Sequence, residues 1–151
     1  MIEWMILPFK RYAEFSGRSR RMEYWSFALL IFIIYLVLFG IMMAGGFSVA
    51  SLAANGGMPT SLGAVFYVGA GLLGLFGLAV IIPSIAVGVR RLHDRDMSGW
   101  WYLGLIVASM IPFIGFIASI AFLVLMFLPG TPGPNRFGPD PKDPAGAEVF
   151  S

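Results

Sequence analysis

Two long stretches of the sequence carry no charged side chain, and they set the pattern of the whole chain. The first extends from Tyr24 to Val89 and the second from Gly99 to Asn135. A helix that crosses a bilayer needs about 20 predominantly apolar residues, and continuous hydropathy over such a length is the signature of a membrane span. The pattern therefore predicts an all-α integral membrane protein, built as a small bundle of transmembrane helices.

The first stretch divides into two spans at a segment rich in Gly, Ser and Ala. Residues 24–44 match one crossing, and they are longer than the apolar region of a signal peptide, which is about 7 to 15 residues. Residues 45–61 are predicted to form an uncharged external loop. Residues 62–89 exceed a hydrocarbon core of about 30 Å when helical, so this span must tilt or extend beyond the core, and Pro83 is expected to kink it.

Small residues recur inside the second span. Ala70 and Gly74, for example, are four residues apart in VGAGLLGLFG. Such pairs allow helices to approach closely in lipid. A specific packing face and the general tolerance of membrane helices for glycine explain the pattern equally well.

The third apolar block, 100–128, is long for one crossing and short for two. Pro112 and Gly115 interrupt its middle, and a proline inside a helix removes a hydrogen bond and breaks or kinks it. Two arrangements therefore stay open. The block forms either a helical hairpin broken at Pro112, with segments 100–111 and 113–128, or one kinked helix, which gives three spans in all.

The positions of the positive charges favour the hairpin. The first 23 residues hold five Lys or Arg, the 90–99 loop holds three, and the segment after Leu128 adds Arg136 and Lys142. Because cytoplasmic segments of membrane proteins are enriched in Lys and Arg, the N-terminus, this loop and the C-terminus are all predicted to be cytoplasmic. A hairpin returns the chain to that side, whereas a third span does not.

The two ends of the chain have different patterns. Residues 2–13 place apolar side chains at helical spacing, which predicts an interfacial helix against the inner leaflet, although Pro8 limits its continuity. The tail after Leu128 holds six of the ten prolines and is expected to be irregular. We predict a single membrane domain over 1–141 and a flexible tail over 142–151.

Composition narrows the classes of function. The chain is 58% hydrophobic and 12% charged, far from the roughly 25% charged residues of soluble proteins. Cysteine is absent, which excludes disulfides, thiolate nucleophiles and thiolate metal sites. A net charge of +2 without a dense basic run does not indicate a nucleic-acid partner.

The titratable side chains of the middle of the chain are gathered in VGVRRLHDRDMSGWWYLG, Val87–Gly104. His93, Asp94 and Asp96 are close in sequence, but one histidine and no cysteine do not make a transition-metal site. Ser98 and His93 lack a nucleophile elbow and an orienting partner. We therefore predict no catalytic residue, no metal ligand and no cofactor site.

Each of these residues also has a structural explanation. Arginines just beyond a span fix topology and complement the negative end of the helix. Ser98 is expected to cap the next helix. Trp100 and Trp101, together with Trp25, are predicted to anchor the chain at the membrane interface.

A second segment repeats the pattern of this one. SGRSRRMEYW, Ser16–Trp25, and GVRRLHDRDMSGWW, Gly88–Trp101, each place an arginine pair and an acid before an aromatic anchor. Guanidinium groups bind phosphate through paired hydrogen bonds, so their convergence at the cytoplasmic surface predicts a pocket for anionic lipid headgroups. Alternatively, the same arginines pair with the acids of the two segments and do not bind a headgroup. The predicted cluster contains Arg18, Arg20, Arg21, Glu23, Arg90, Arg91, His93, Asp94 and Arg95.

Three motifs together resemble a known family. FSGRSRRMEYW, RRLHDRDMSGWW and PGTPGPNRFGPDP, in this order and separated by apolar spans, are similar to the domain of unknown function 805 family of small bacterial inner-membrane proteins. The resemblance covers about Phe9 to Pro141. It implies a multi-pass helical protein of the inner membrane, and it brings no activity, substrate or cofactor. The matching positions are Gly17, Arg18, Arg21, Glu23, Trp25, Arg90, Arg91, Leu92, His93, Asp94, Ser98, Gly99, Trp100, Trp101, Gly130, Asn135, Gly138, Asp140 and Pro141.

The resemblance extends the predicted cluster to the tail. If the three motifs form one site they must share a side of the membrane, which again favours the hairpin. Asn135, Arg136 and Asp140 are then expected to cap the arginine-rich pocket, with Asp140 able to pair an arginine.

The predicted function is that of a noncatalytic multi-pass inner-membrane protein. Its cytoplasmic Arg/His/Asp cluster is expected to bind anionic lipid headgroups or a protein partner, and a homo-oligomer or a membrane-protein partner is left open. A small oligomeric transporter or channel component is the alternative, although no Asp, Glu, Lys, Arg or His lies within a predicted span. A membrane enzyme acting on lipid is the third.

Overall fold

The computed structural model of the chain describes residues 1–44 and 63–142, which form five helices. The predicted external loop, 45–61, and the tail after Lys142 lie outside the described residues. No strand occurs in the described ranges, so the predicted all-α class is confirmed. The helices are α1 (Ile2–Lys10), α2 (Arg21–Ala44), α3 (Ala64–His93), α4 (Trp100–Ser109) and α5 (Ile114–Phe127).

Helices α2 and α3 are the two full spans. They contain 24 and 30 residues, or about 36 and 45 Å of helix, against a hydrocarbon core of about 30 Å. Both are long and apolar enough to cross a membrane. Helix α3 continues through Pro83, so the charged residues at its C-terminal end belong to the same helix as the span.

The described residues fall into two compact units, 1–28 with 82–142, and 29–44 with 63–81. In the second unit, a Cβ atom on Gly69 would lie 2.9 Å from the backbone of Met42, and one on Gly77 would lie 3.3 Å from the hydroxyl of Tyr35. A Cβ atom on Gly74 would meet nothing within 4 Å. Close approach of these helix segments therefore depends on Gly69 and Gly77 rather than on the Gly74 pair singled out from the sequence.

The third apolar block is a helical hairpin, as predicted. Helices α4 and α5 pack against each other, and the rings of Tyr102 and Phe122 meet edge to face at 5.4 Å. The turn between them contains Pro112, and a Cβ atom on Gly115 would collide with the carbonyl oxygen of Ser109. With 10 and 14 residues, or about 15 and 21 Å, each arm is shorter than the hydrocarbon core.

The hairpin turn satisfies most of its own backbone donors. The N–H groups of Met110 and Ile111 bond to the preceding turn of α4, and the N–H of Gly115 donates to the oxygen of Ile111 at 2.7 Å. Pro112 has no N–H. Backbone groups in lipid must be satisfied internally, and this turn has the bonding that a membrane-embedded position requires.

The predicted interfacial helix is present as α1. It continues through Pro8, which is buried, so the proline does not end the helix there. The ring of Phe9 meets Phe27 edge to face at 5.2 Å. This contact places α1 against the first turns of α2.

Candidate functional site

A buried carboxylate holds two arginines from different motifs together. Asp94 follows the last residue of α3, and its Oδ1 accepts a hydrogen bond from Arg18 Nε at 3.0 Å and lies 2.9 Å from Arg18 Nη2. Its Oδ2 is paired with Arg91, one turn earlier on α3. All three side chains are at most 6% exposed. The shared carboxylate offsets one of the two buried positive charges, which burial would otherwise make costly.

A second ion pair lies beside the first. Arg90, which is completely buried, donates through Nη2 to Glu23 Oε1 at 2.9 Å. Its Nη1 is 3.9 Å from the exposed carboxylate of Glu14. Neither Nε nor Nη1 of Arg90 has a hydrogen-bond partner among the described residues. This pair joins the start of α2 to the end of α3.

The tail passes directly over the first ion pair. Arg18 donates to the backbone oxygens of Thr131 and Gly133, each at 2.6 Å. The N–H of Thr131 donates to the oxygen of Asp94 at 2.8 Å. A Cβ atom on Gly130 would coincide with the carboxylate of Asp94. The Pro/Gly-rich tail therefore closes over the arginines, and glycine at 130 makes this approach possible.

His93 and Asn135 fix the next part of the tail. The imidazole of His93 stacks on Phe137 at 3.9 Å, and its Nδ1 is 3.2 Å from the oxygen of Gly17. Asn135 donates to the backbone oxygen of His93 at 2.9 Å and accepts from the N–H of Phe137. Gly17 has a φ of +80°, a conformation that glycine adopts without steric cost. All three motifs meet at these contacts.

Asp140 caps the tail through backbone groups. Its Oδ1 accepts from the N–H of Lys142 at 2.9 Å and its Oδ2 from the N–H of Gly133 at 3.0 Å. The pKa of the Asp140 carboxyl is lowered, most of all by the bond from Lys142. The bond from Gly133 and the nearby charge of Arg18 lower it further. The predicted arginine partner of Asp140 is thus replaced by a local turn.

The C-terminal end of α5 collects several donors. The last carbonyls of a helix have no partner within it and carry partial negative charge. Arg91 donates to the oxygens of Met126 and Leu128, and Arg21 donates to that of Phe127 at 3.2 Å. Arg95 donates to the oxygen of Pro129 at 2.8 Å. These bonds tie the end of the hairpin to the charged segments.

The aromatic anchors differ in their surroundings. Trp25 stacks on Phe127 at 4.1 Å, and its Nε1–H donates to the oxygen of Met126 at 3.3 Å. Trp100 and Trp101 are 78% and 57% exposed. Trp25 is therefore part of the contact with α5, whereas the other two are free to contact lipid.

The predicted cap of α4 is only partly present. Gly99 rather than Ser98 stands at the N-cap position, and no side chain caps the helix there. Ser98 Oγ instead accepts a long bond of 3.4 Å from the N–H of Trp100. Trp100 is the first residue of α4, so Ser98 still contributes a weak bond at this helix end. A Cβ atom on Gly99 would approach Val89 to 2.7 Å, and glycine permits this close contact between α3 and the start of α4.

The predicted cluster separates into a core and a rim. Arg20 belongs to the rim, since it donates to the oxygen of Pro141 and lies over the ring of Trp4 at 5.6 Å. Among the described residues no group of His, Asp and Glu side chains is arranged to hold a metal ion. The core contains Arg18, Glu23, Arg90, Arg91, His93, Asp94 and Asn135, and the rim contains Arg20, Arg21, Arg95 and Asp140.

Sequence reasoning missed several members of the site. Gly130, Thr131 and Gly133 contribute backbone atoms, so their side chains gave no chemical signal. Phe137 stacks on His93 and was not among the predicted site residues. The density of glycine and proline in PGTPGPNRFGPDP was the one available signal, because it indicates a backbone shaped to fit closely against other groups.

The segments that build this site lie almost wholly within residues that match a known protein family. The model of a family described as a protein of unknown function, DUF805, matches residues 12–139. The chain belongs to the DUF805 family. This match confirms the resemblance found in the motifs, and the matched residues include those that meet around Asp94.

Curated relatives of this DUF805 protein cover nearly its whole length. Inner membrane protein YhaH of Escherichia coli (strain K12) is 39% identical over 143 residues, which is 93% of this chain and 98% of the relative. Inner membrane protein YhaI of the same organism is 35% identical over 141 residues, 93% and 97% of the two chains. Uncharacterized protein YiiR is 29% identical over 148 residues, 86% and 87%. No solved structure matches.

The comparisons settle the environment of the two long helices. Length and composition alone make α2 and α3 candidate spans, and the relatives YhaH and YhaI are inner membrane proteins. This DUF805 protein is therefore an integral membrane protein of the bacterial inner membrane with transmembrane helices. Its activity is not established by the family, and nothing in the comparisons points to catalysis.

Proposed function

We propose that this protein is a noncatalytic inner-membrane module that binds anionic lipid headgroups through Arg21 and Arg95. One observation carries the proposal. Both guanidinium groups bond to oxygens at the end of α5, on Phe127 and Pro129, and neither has a carboxylate partner among the described residues. Two positive charges are thus held near each other with donors left over, which is the arrangement that phosphate oxygens bind.

The buried arginines have a different role in this proposal. Arg18 and Arg91 share Asp94, and Arg90 is paired with Glu23. Asp94 and Glu23 offset two of these three positive charges, and the remaining donors of Arg18 and Arg91 bond to backbone oxygens. These arginines therefore hold the three motifs together and leave headgroup binding to the rim. The stacked pair of Trp25 and Phe127 supports a position at the membrane interface, where aromatic residues are enriched.

The proposed orientation places both termini in the cytoplasm. All ten Lys and Arg lie in 1–23, 90–99 and 128–142, and the hydrogen bonds around Asp94 bring these three segments together. Segments in contact lie on one side of the membrane. The positive-inside rule assigns that side to the cytoplasm.

Single-cysteine labelling tests this orientation. Because the chain has no cysteine, each introduced thiol is the only one present. We expect Ser16→Cys and Pro139→Cys, both exposed, to be protected from a membrane-impermeant maleimide in intact cells and labelled in inverted membrane vesicles. Asn55→Cys, in the predicted external loop, should show the opposite pattern. Labelling of Pro139→Cys in intact cells would contradict the proposed orientation.

Native mass spectrometry tests the headgroup site. The protein is equilibrated with phosphatidylglycerol and phosphatidylcholine, and the ratio of the two bound lipids is measured. Each cation near a membrane surface contributes about 1 kcal/mol, so Arg21→Ala with Arg95→Ala should lower the preference for phosphatidylglycerol by about tenfold to thirtyfold.

A matched double variant controls for net charge. Arg11→Ala with Arg136→Ala also removes two positive charges, but each arginine is paired with a carboxylate, on Glu14 and Asp96. We expect this variant to change the lipid preference by less than about threefold. Equal losses in the two double variants would show that only net charge matters. An unchanged preference in the first would exclude Arg21 and Arg95 as the site.

The transporter or channel and the lipid-directed enzyme stay predictions from the sequence. No contact within the described residues favours either of them. Ion flux into liposomes that depends on the protein would support the transporter or channel. That activity would then be a function additional to lipid binding.

A further inference from the structure

A groove of about 540 Å³ lies between the last turns of α3 and the first turns of α4. Its apolar wall comes from both helices, with Ile85 and Val89 on α3 and Leu103 and Ile106 on α4. The volume is in the range of about 300 to 1,000 Å³ that is usual for small-molecule sites. The groove has room for an apolar chain.

The groove has a direction set by the two helices. His93, Val89 and Ile85 are four residues apart and share one face of α3, over about 12 Å of helix. Helix α4 turns back along α3, since the ring of Tyr102 lies against Gly88 so closely that a Cβ atom there would collide with it. The groove therefore runs from the polar turn between the helices into their apolar parts.

His93 provides a hydrogen-bond acceptor at the polar end of the groove. Its Nδ1 faces the oxygen of Gly17 at 3.2 Å, and a carbonyl oxygen only accepts, so Nδ1 carries the hydrogen and Nε2 of the neutral ring has a free lone pair. A Cβ atom on Gly99 would lie 3.4 Å from Nε2, and Gly99 and His93 both line the groove. No hydrogen bond to Nε2 is made by the described residues.

The remaining lining residues restrict the charge of a ligand. The described residues that line the groove include no Asp, Glu, Lys or Arg, and besides His93 the polar side chains include the hydroxyl-bearing Ser98 and Tyr102. A charged headgroup placed here would lose its hydration without gaining a counter-ion. The chemistry favours an uncharged head that can donate one hydrogen bond.

We propose that this groove binds an uncharged lipid with a free hydroxyl group. Its hydrocarbon chain lies along the apolar wall of α3 and α4, and its hydroxyl donates to Nε2 of His93. The site uses none of the rim arginines, so it goes beyond the proposed function and does not depend on it. Long-chain alcohols and diacylglycerols share this chemistry.

Photocrosslinking in nanodiscs tests the chemistry of the head. The probe is a long-chain alcohol with a diazirine in its chain, and labelled peptides are mapped by mass spectrometry. We expect labelling of the segments 85–89 and 103–106, stronger for the alcohol than for its methyl ether by about fivefold, the effect of one neutral hydrogen bond. Equal labelling by the ether, or stronger labelling by the corresponding carboxylic acid, would overturn the proposal.

Competition identifies the source of the ligand. Excess diacylglycerol that removes the label assigns the groove to membrane acylglycerols. Labelling that resists diacylglycerol but yields to unlabelled long-chain alcohol assigns it to free alcohols. Labelling that neither competitor reduces is nonspecific and overturns the proposal.

Variants test the place of the groove. Leu103→Trp fills it, whereas Val107→Trp adds the same bulk to a residue of α4 that is 53% exposed and does not line the groove. Labelling should fall at least fivefold in Leu103→Trp and stay unchanged in Val107→Trp. Equal labelling of these two variants would overturn the proposal.

A third variant tests the acceptor. His93→Phe keeps a ring against Phe137 and removes the acceptor, so the alcohol and the ether should label this variant equally. The comparison of probes on the unaltered protein holds even where a variant fails to fold.

Discussion

Asp94→Asn is expected to lower the free energy of unfolding by about 3–5 kcal/mol, the usual cost of breaking a buried ion pair from one side. The substitution keeps the size of the side chain but removes the charge that Arg18 and Arg91 share. Both guanidinium groups are almost fully buried, so neither can recover its hydration without opening the fold. The stability of the purified protein against denaturant in detergent micelles, followed by tryptophan fluorescence, measures the change.

Asp96→Asn is the matched control for this result. Asp96 is two residues away, and its pair with Arg136 is exposed, with side chains 48% and 60% accessible. Exposed pairs contribute about 0 to 1 kcal/mol, so the control should change stability by no more than that. Equal effects of the two substitutions would contradict a structural role for the buried carboxylate.

Most of the fold could be predicted because it follows from local patterns. The charge-free stretches from Tyr24 to Val89 and from Gly99 to Asn135 determine where apolar helices lie. Pro112 predicts the break that separates α4 from α5. The clustering of Lys and Arg at three places predicted that three segments share a side, and the contacts around Asp94 join the same three segments.

The use of each arginine could not be predicted. Arg18 and Asp94 are 76 residues apart, and Arg18 and Gly133 are 115 apart, so no periodicity connects them. The sequence left headgroup binding and internal pairing as competing uses of the same residues. Burial decides between them: internal pairing applies to Arg18, Arg90 and Arg91, and the rim arginines are left for headgroup binding, which stays a proposal.

The sequence also could not predict which backbone atoms belong to the site. Carbonyl oxygens of Met126, Phe127, Leu128, Thr131 and Gly133 receive most of the remaining arginine donors, and a carbonyl oxygen has the same chemistry in every residue. These oxygens differ from others only because they lie at the C-terminal end of α5 or along the path of the tail. A sequence motif marks the glycines that permit this course, without showing which atoms they bring together.

Gly130→Ala should destabilise the protein by about 1–3 kcal/mol, the cost of overpacking a closed site. The added Cβ atom would meet the carboxylate of Asp94 and push it away from its arginines or lift the tail. Gly104→Ala is the control, because its Cβ atom would meet nothing within 4 Å. Inside α4 that alanine should be neutral or stabilising by up to about 1 kcal/mol. Denaturant titration of both variants in detergent micelles compares them.

A double-mutant cycle separates this collision from a general preference for glycine. Asp94→Ala alone should cost about 3–5 kcal/mol, and it also removes the atoms that a methyl group on Gly130 would meet. In the Asp94→Ala background, Gly130→Ala should therefore cost less than about 0.5 kcal/mol, and the two changes should be coupled by about 1–3 kcal/mol. Additive losses would mean that residue 130 is glycine for its backbone and not for the space that Asp94 needs. Coupling of the expected sign would show that Gly130 of the tail motif leaves the space that the carboxylate of Asp94 occupies.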